Sequence, residues 1–248
     1  MPESRFDAWI AERYDALWPE LFDPTVVEQT VEFLARWAGG GPALEFGIGT
    51  GRIALPLSRR GIRVHGIELS HAMVEQLQAR NPDGAVGVTV GDFATATAQD
   101  QFTLVYLIRN TITNLTSQDE QVEAFRNAAR HLHPGGHFVI ENYMPGLQRL
   151  PPGETRQVFI ATPTHLGFEE YDVAKQIAIS HHYWVIDDQL ERFSSPHRYV
   201  WPAELDLMAR MAGLILRERW ASWTREPFTS ESRSHISVWE KAPFDPWD

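Results

Sequence analysis

Short apolar runs alternate with amphipathic segments up to about residue 142. The runs have the length and composition of β-strands and comprise the run that ends at Glu45, Ile62–Glu68, Ala85–Val90, Phe102–Ile108 and His137–Glu141. Between them, residues 52–60, the segment after Ser70 and the segment from Ser117 to about His131 have helical features. This alternation predicts an α/β protein built on a parallel sheet.

The pattern changes on either side of this region. Apolar residues mostly three to five positions apart predict helices within residues 1–38. After Tyr143, prolines and glycines interrupt the chain, and strand-like segments follow at Arg156–Thr162, Phe168–Trp184 and Leu190–Val200. A helix over Trp201–Ala212 and strands at Leu214–Trp220 and His235–Glu240 are predicted next. We therefore expect one domain over residues 1–248, with a helical cap (1–38), a core (40–142), an antiparallel insertion (147–200) and a closing segment (201–240).

Three of the predicted strands each deliver a carboxylate to one edge of the sheet. Glu45 is followed by glycines at two-residue spacing, Gly47, Gly49 and Gly51, while Glu68 closes the second strand and Asp92 follows the third. Glycine tolerates a positive φ and lets a ligand approach the backbone, and parallel sheets bind ligands at the carboxyl ends of their strands. A carboxylate at position 68 could accept from two ribose hydroxyls, and one at position 92 from an adenine amine. The layout predicts a nucleoside site.

The spacing of the glycines narrows the choice of nucleoside. A dinucleotide-binding fingerprint needs a glycine or alanine where this chain has Arg52, and the Gly-Lys-Ser/Thr of a P-loop is absent. The sequence therefore disfavours NAD, FAD and ATP and favours a nucleoside ligand without a phosphate bridge.

Residues 43–51 resemble motif I of the class I S-adenosylmethionine-dependent methyltransferases. Further matches are Glu68 in HGIELS, Asp92–Phe93 in GDF and the passage HLHPGGHFVIE, so the resemblance covers about residues 40–142. It implies S-adenosylmethionine as cofactor and a Rossmann-like, doubly wound, mostly parallel seven-stranded sheet with helices on both faces. The cofactor-binding residues that it implies are Tyr14, Glu45, Gly47, Gly49, Gly51, Glu68, Leu69, Asp92, Phe93 and Asn110.

The family places acceptor and catalytic residues after strand four and in an insertion after strand five. Arg109 follows strand four here and could hold a carboxylate of the substrate or of the cofactor, or form a surface ion pair. The insertion resembles the lids of small-molecule N- and O-methyltransferases. It contains His181 and His182, of which only one can face a pocket because neighbours on a strand point to opposite faces. Each could be a general base or a structural residue.

Composition limits the remaining classes of function. The 248 residues are 43% hydrophobic, contain no cysteine and carry a formal net charge of −11, which repels polyanions such as nucleic acids. We predict no metal site, no apolar run of ~18 residues that would span a membrane, no signal peptide and a cytoplasmic location. The oligomeric state, monomer or homodimer, stays open.

The sequence therefore predicts methyl transfer from S-adenosylmethionine to a nitrogen or oxygen atom of a small molecule, in secondary metabolism. Two alternatives remain at this point. One is a nucleotide-dependent oxidoreductase of the Rossmann type, and the other is a non-catalytic relative that binds the cofactor without turnover.

Overall fold

The computed structural model describes residues 8–242 and contains two β-sheets. The strands are β1 (Ala43–Phe46), β2 (Val64–Glu68), β3 (Val86–Val90), β4 (Phe102–Leu107), β5 (Leu132–Tyr143), β6 (Arg156–Ala161), β7 (His165–Asp172), β8 (Ile177–Ile186), β9 (Gln189–Arg198), β10 (Leu214–Trp220) and β11 (Ser234–Lys241). The larger sheet has the order β10-β11-β5-β4-β1-β2-β3, and β6 to β9 form a second sheet in sequential order.

The strands of the larger sheet run parallel except β11, which is antiparallel to both of its neighbours, β5 and β10. The chain moves outward in one direction through β1, β2 and β3 and then returns to place β4 on the other side of β1. Strand order therefore reverses between β1 and β4, the place where open α/β sheets bind ligands. The predicted doubly wound, mostly parallel seven-stranded sheet is confirmed.

Helices cover both faces of this sheet. They are α1 (Ala8–Leu17), α2 (Pro24–Ala38), α3 (Ala54–Arg59), α4 (His71–Arg80), α5 (Gln118–His131) and α6 (Pro202–Met211). Their starts follow from local sequence, since the Ser70 side chain accepts from the backbone N–H of Met73 and Ser117 forms a capping box with Glu120. No helix within residues 8–242 is long and apolar enough to cross a bilayer.

The core fills both sides of the sheet. Residues 104 to 107 of β4 have no solvent exposure, as expected for a central parallel strand. On one face, Phe46 and Phe138 pack against Phe125 of α5. On the other, Leu34 of α2 and Leu57 of α3 are fully buried.

The antiparallel sheet of β6 to β9, called here the small sheet, lies over the carboxyl ends of the parallel strands. Trp184 of β8 packs with helix α1, and Tyr171 of β7 packs with Tyr143 at the end of β5. His197 of β9 lies 3.4 Å from the hydroxyl of Thr113, which follows β4. The small sheet and α1 therefore cover one edge of the larger sheet.

Several predicted elements differ from those observed. The continuous strand expected over Phe168–Trp184 is two strands, because residues 173–176 form a turn in which the Asp172 side chain accepts from the backbone of Lys175. Strand β5 begins at Leu132 rather than at His137, with an irregular register across Pro134–Gly136.

The N-terminal helical cap is also interrupted. A short 3-10 helix at Pro19–Phe22 separates α1 from α2, with a proline at the start of the 3-10 helix and of α2. The first seven residues of the predicted cap lie outside the described part of the chain.

Candidate functional site

The turn between β1 and α3 has a backbone that requires glycine. The φ angles of Gly47, Gly49 and Gly51 are 68°, 56° and 80°, a region that other residues enter only at a cost. A Cβ on Gly51 would lie 2.3 Å from Leu77 Cδ1, so this glycine allows α4 to pack closely. A Cβ on Gly49 would instead meet nothing nearer than the carbonyl oxygen of Gly47 at 4.0 Å. Neighbouring side chains thus fill the space beside Gly51, whereas the space beside Gly49, on the open side of the turn, is not filled.

The carboxylate of Glu68 connects this turn to the next helix. Its Oε2 accepts from the backbone N–H of Gly49 at 2.9 Å, and its Oε1 accepts from the N–H of Ser70 at 2.8 Å. Only 9% of the residue is exposed, and burial raises the pKa of the carboxyl group against the opposing effect of these hydrogen bonds. Leu69, the residue between Glu68 and Ser70, is half-buried. Glu68 is therefore fixed at the open side of the turn.

Glu45 lies beneath the turn, inside the protein. It is 3% exposed, and its Oε2 accepts from the Tyr106 hydroxyl of β4 at 2.9 Å. Burial raises its pKa to about 8, although the Tyr106 hydrogen bond and the charge of Arg52 act in the opposite direction. At neutral pH the buried group is therefore mostly protonated, and it joins β1 to β4.

Asp92 and Phe93 follow β3 at the same edge but point in different directions. The half-buried Asp92 accepts from the backbone N–H of Ala94 at 2.9 Å. The Phe93 ring stacks on Phe46 with 5.6 Å between centroids and is 9% exposed within the core. The resemblance implied that Phe93 binds the cofactor. The structure places its ring in the core, where little of it is exposed to contact an adenine.

The end of α1 and the residues after it fold over the glycine turn. Tyr14 lies with its ring centroid 5.1 Å from that of Trp18, and Arg52 donates to the carbonyl oxygen of Leu21 at 3.0 Å. Burial raises the pKa of Tyr14, while the charges of Arg109 and Arg52 lower it. The N-terminal segment therefore brings a tyrosine and a tryptophan to the cofactor edge.

Arg109 and Asn110 form an unusual backbone segment at the carboxyl end of β4. Their φ angles are 55° and 61°, a left-handed conformation that is uncommon outside glycine. Both backbone N–H groups donate to Glu141 of β5, Arg109 to Oε2 at 2.8 Å and Asn110 to the carbonyl oxygen at 3.2 Å. The Arg109 guanidinium lies 3.6 Å from the Glu20 carboxylate and is partly exposed. Such strained segments concentrate at functional sites.

The fold and this sheet edge match those of known proteins. A family model described as a methyltransferase domain matches residues 43–136. A structure of the CcbJ methyltransferase from Streptomyces caelestis is 35% identical, with a TM-score of 0.87 over 98% of this chain and 100% of that one. The chain belongs to the class I S-adenosylmethionine-dependent methyltransferases.

Two further relatives extend the comparison. The cypemycin N-terminal methyltransferase of a Streptomyces species is 29% identical over 245 residues, which cover 90% of this chain and 98% of the relative. A structure of CalS10 from Micromonospora echinaspora with S-adenosylmethionine bound, described as an amino pentose methyltransferase of calicheamicin biosynthesis, has a TM-score of 0.71 at 19% identity, over 92% of this chain and 96% of that one. The resemblance noted in the sequence is confirmed, and these comparisons support a methyltransferase over the oxidoreductase and the non-catalytic relative.

The residues at the sheet edge fit S-adenosylmethionine. The backbone is open above Gly49, and the side-chain hydroxyl of the neighbouring Thr50 is buried without a hydrogen-bond partner among the described residues. The carboxylate of Glu68 and that of Asp92 end adjacent strands on this side. In this methyltransferase the turn would hold the methionine part, Glu68 the ribose and Asp92 the adenine amine.

The inner face of the small sheet, which is the side that contains His182 and Trp184, faces this edge. The rings of His165, His182 and Trp184 stack with centroids 4.9–5.2 Å apart, and the Trp18 ring meets that of His182 edge-on at 5.9 Å. Burial lowers the pKa of His182 to about 4, with smaller effects in the same direction from three neighbouring histidines and from Arg109. His182 is therefore neutral at pH 7 and forms part of an aromatic wall.

His181 lies on the opposite face of the small sheet. Its ring stacks on Phe168 with 4.7 Å between centroids, and its Nδ1 is 2.8 Å from the Ser194 hydroxyl. The two histidines are thus separated by strand alternation as expected, and only His182 belongs to the face that covers the cofactor edge.

Sequence reasoning missed three residues whose positions matter here. Arg52 was used only to exclude a dinucleotide fingerprint, yet it connects the N-terminal segment to the glycine turn; its position next to Gly51 was the available signal. Tyr106 and Glu169 have no motif around them. Tyr106 donates to Glu45 of another strand, and Glu169 accepts from Tyr171 of its own strand β7 and from Ser180 of β8, contacts that only the fold reveals.

Proposed function

We propose that this methyltransferase methylates an amine nitrogen of a small molecule made in secondary metabolism. The observation that carries the proposal is the similarity to the cypemycin N-terminal methyltransferase, which extends over 98% of that relative and so includes the small sheet as well as the cofactor core. The amino pentose methyltransferase shares the fold and also has an amine acceptor by its description.

The chemistry of His182 favours an amine over a hydroxyl. A hydroxyl must lose its proton as it attacks, which calls for a general base with a pKa near the working pH. The His182 imidazole, with a pKa of about 4, is too weak a base for that task. An uncharged amine already has a free lone pair, so it needs no base at the moment of attack and the rings around His182 can orient it.

Alignment of the reacting groups and exclusion of water account for most of the expected acceleration of methyl transfer. S-adenosylmethionine supplies a methyl group on a positively charged sulfur, which departs as a neutral thioether. The protein fixes the reacting partners in line and excludes water, and effective molarities of ~10⁵ M or more are available from orientation alone. We propose that the small sheet, within the insertion over residues 147–200, is the lid that performs both tasks for the acceptor.

A transfer assay with tritium in the methyl group of S-adenosylmethionine tests the proposal. The acceptors are glucosamine, tyramine and triglycine, each beside the matched compound with a hydroxyl in place of the amine. Label in at least one amine and in no matched compound supports nitrogen as the target. Label only in compounds without an amine, or in none of either series, contradicts the proposal.

A further inference from the structure

The inner face of the small sheet contains the Glu169 carboxylate between two groups of aromatic rings, and a second carboxylate, Glu191, in the row of Trp184. Cross-strand register arranges this face in successive rows: Trp184 with His165 and Glu191; His182 with Gly167 and Phe193; Ser180 with Glu169 and Ser195; and Ala178 with Tyr171 and His197. The His182 row contacts Trp18, and the Ala178 row packs with Tyr143 and reaches Thr113. Glu169 therefore faces the space between the small sheet and the carboxyl ends of the parallel strands.

Neutral hydroxyl groups surround the Glu169 carboxylate. Its Oε2 accepts from the Tyr171 hydroxyl, and its Oε1 lies 3.5 Å from the Ser180 hydroxyl. No Lys, Arg or His within residues 8–242 forms an ion pair with it, although it is largely removed from water and burial raises its pKa. A carboxylate that is partly buried without a cationic partner is costly, and it is strongly stabilised when a ligand supplies the cation.

Tyr143 supplies a second, independent sign of a binding site. Its hydroxyl is buried and has no hydrogen-bond partner among the described residues. Tyr143 packs with Tyr171, whose hydroxyl donates to Glu169, and burial together with the charge of Glu169 raises the pKa of the Tyr143 phenol well above its ordinary value. Tyr143 lies at the end of β5, two residues after Glu141, which holds the Arg109–Asn110 backbone. A buried hydroxyl without a partner among the described residues and a carboxylate without a cation are thus both linked to Tyr171 next to the cofactor edge.

We propose that Glu169 binds the amino group of the methyl acceptor, with the Tyr143 hydroxyl as a second contact. This assignment rests on the proposed amine acceptor and names the residue that selects it. The carboxylate accepts an N–H bond from the acceptor and takes one proton when the acceptor arrives as an ammonium ion. The nitrogen lone pair then forms the N–C bond while the C–S bond breaks and its electron pair stays on sulfur. The proton on Glu169 returns to water after the product leaves.

The substitution Glu169→Gln tests the assignment, with Glu170→Gln as the matched control. Glu170 lies next on the same strand, on the opposite face, in an exposed ion pair with Arg156 at 3.1 Å. In Glu169→Gln we expect the KM for the amine that the wild type methylates to rise about 30- to 100-fold, the scale of a lost hydrogen bond to a charged group. The Kd for S-adenosylmethionine, measured by calorimetry, should stay within about twofold in both variants.

Glu169→Asp provides a second variant that keeps the charge but moves it back by one methylene, and we expect an intermediate KM. The role of Glu169 is overturned if both Glu169 variants, like Glu170→Gln, keep a KM for the amine within about threefold of the wild-type value. That result leaves the proposed function intact. If the wild type labels only compounds without an amine, or none, the proposed function and the Glu169 assignment fail together.

Discussion

The cofactor side and the acceptor side of the site each contain a buried glutamate, but different kinds of partner hold the two carboxylates. Glu68 accepts from two backbone N–H groups, one in the glycine turn and one at the start of α4. Glu169 accepts from side-chain hydroxyls of its own sheet. The first carboxylate is fixed by the course of the main chain, whereas the second depends on the side chains that β7 and β8 present.

This difference shows where the methyltransferase can vary. Backbone donors are present whatever the side chains are, so the cofactor side tolerates change around Glu68 as long as the turn keeps its shape. On the acceptor side, a single substitution at Tyr171, Ser180 or Tyr143 changes what surrounds Glu169. We therefore expect variants of the small sheet to alter acceptor choice without altering cofactor affinity.

The largest effect is expected at Glu45, a third buried glutamate, which is held by the Tyr106 side chain. Its pKa is about 8 in the folded protein and 4.5 in the absence of its surroundings. As the pH rises from 4.5 to 8, the unfolded chain loses this proton while the folded protein keeps it, so the free energy of unfolding falls. Glu45→Gln removes that loss, on the order of 5 kcal/mol at full extent. Denaturant titrations at pH 5 and pH 8.5 measure it.

Glu75→Gln, on the exposed side of α4, is the control for the Glu45 variant. It should track the wild type at both pH values. The free energy of unfolding could instead differ between Glu45→Gln and the wild type by the same amount at pH 5 and at pH 8.5. That result would show that Glu45 titrates like an exposed group.

A smaller effect is expected for Glu68→Ala. Loss of the carboxylate removes the expected ribose contact and leaves the N–H groups of Gly49 and Ser70 without their acceptor. Affinity for S-adenosylmethionine should weaken by about 1.5–3 kcal/mol, while the acceptor KM at saturating cofactor should change little. Calorimetric titration of the variant, beside Glu75→Ala, measures the difference. Unchanged affinity would remove Glu68 from the cofactor site.

The smallest effect is expected for His182→Phe, which keeps the stacked ring and removes the nitrogen atoms. Because His182 is neutral and too weakly basic to act as a general base, kcat should fall less than about tenfold, against the 10²–10⁴-fold typical of a lost base. His181→Phe, on the opposite face, should leave kcat unchanged. A drop of 10² or more in His182→Phe alone would assign it a proton-transfer role, and single-turnover kinetics with an amine acceptor distinguish the two results.

The sequence predicted the cofactor side better than the acceptor side for the same physical reason. Glycine spacing and the acids at strand ends are local signals, and the structure brings the turn and Glu68 together as expected because these parts interact through nearby backbone. The direction of the Phe93 ring depends on how α5 and the sheet pack, so its burial could not be predicted from the residues around it. Glu169 could not be found, because its position relative to Tyr143 follows from the pairing of β7 with β8 and from the docking of the small sheet.

A crystal structure of this methyltransferase with S-adenosylmethionine bound tests the central claim most directly. The account predicts adenosine at the carboxyl ends of β1 to β3, both ribose hydroxyls within hydrogen-bond distance of the Glu68 carboxylate, and the methionine part above Gly49. Cofactor density elsewhere, with Glu68 bonded only to Gly49 and Ser70, would contradict it.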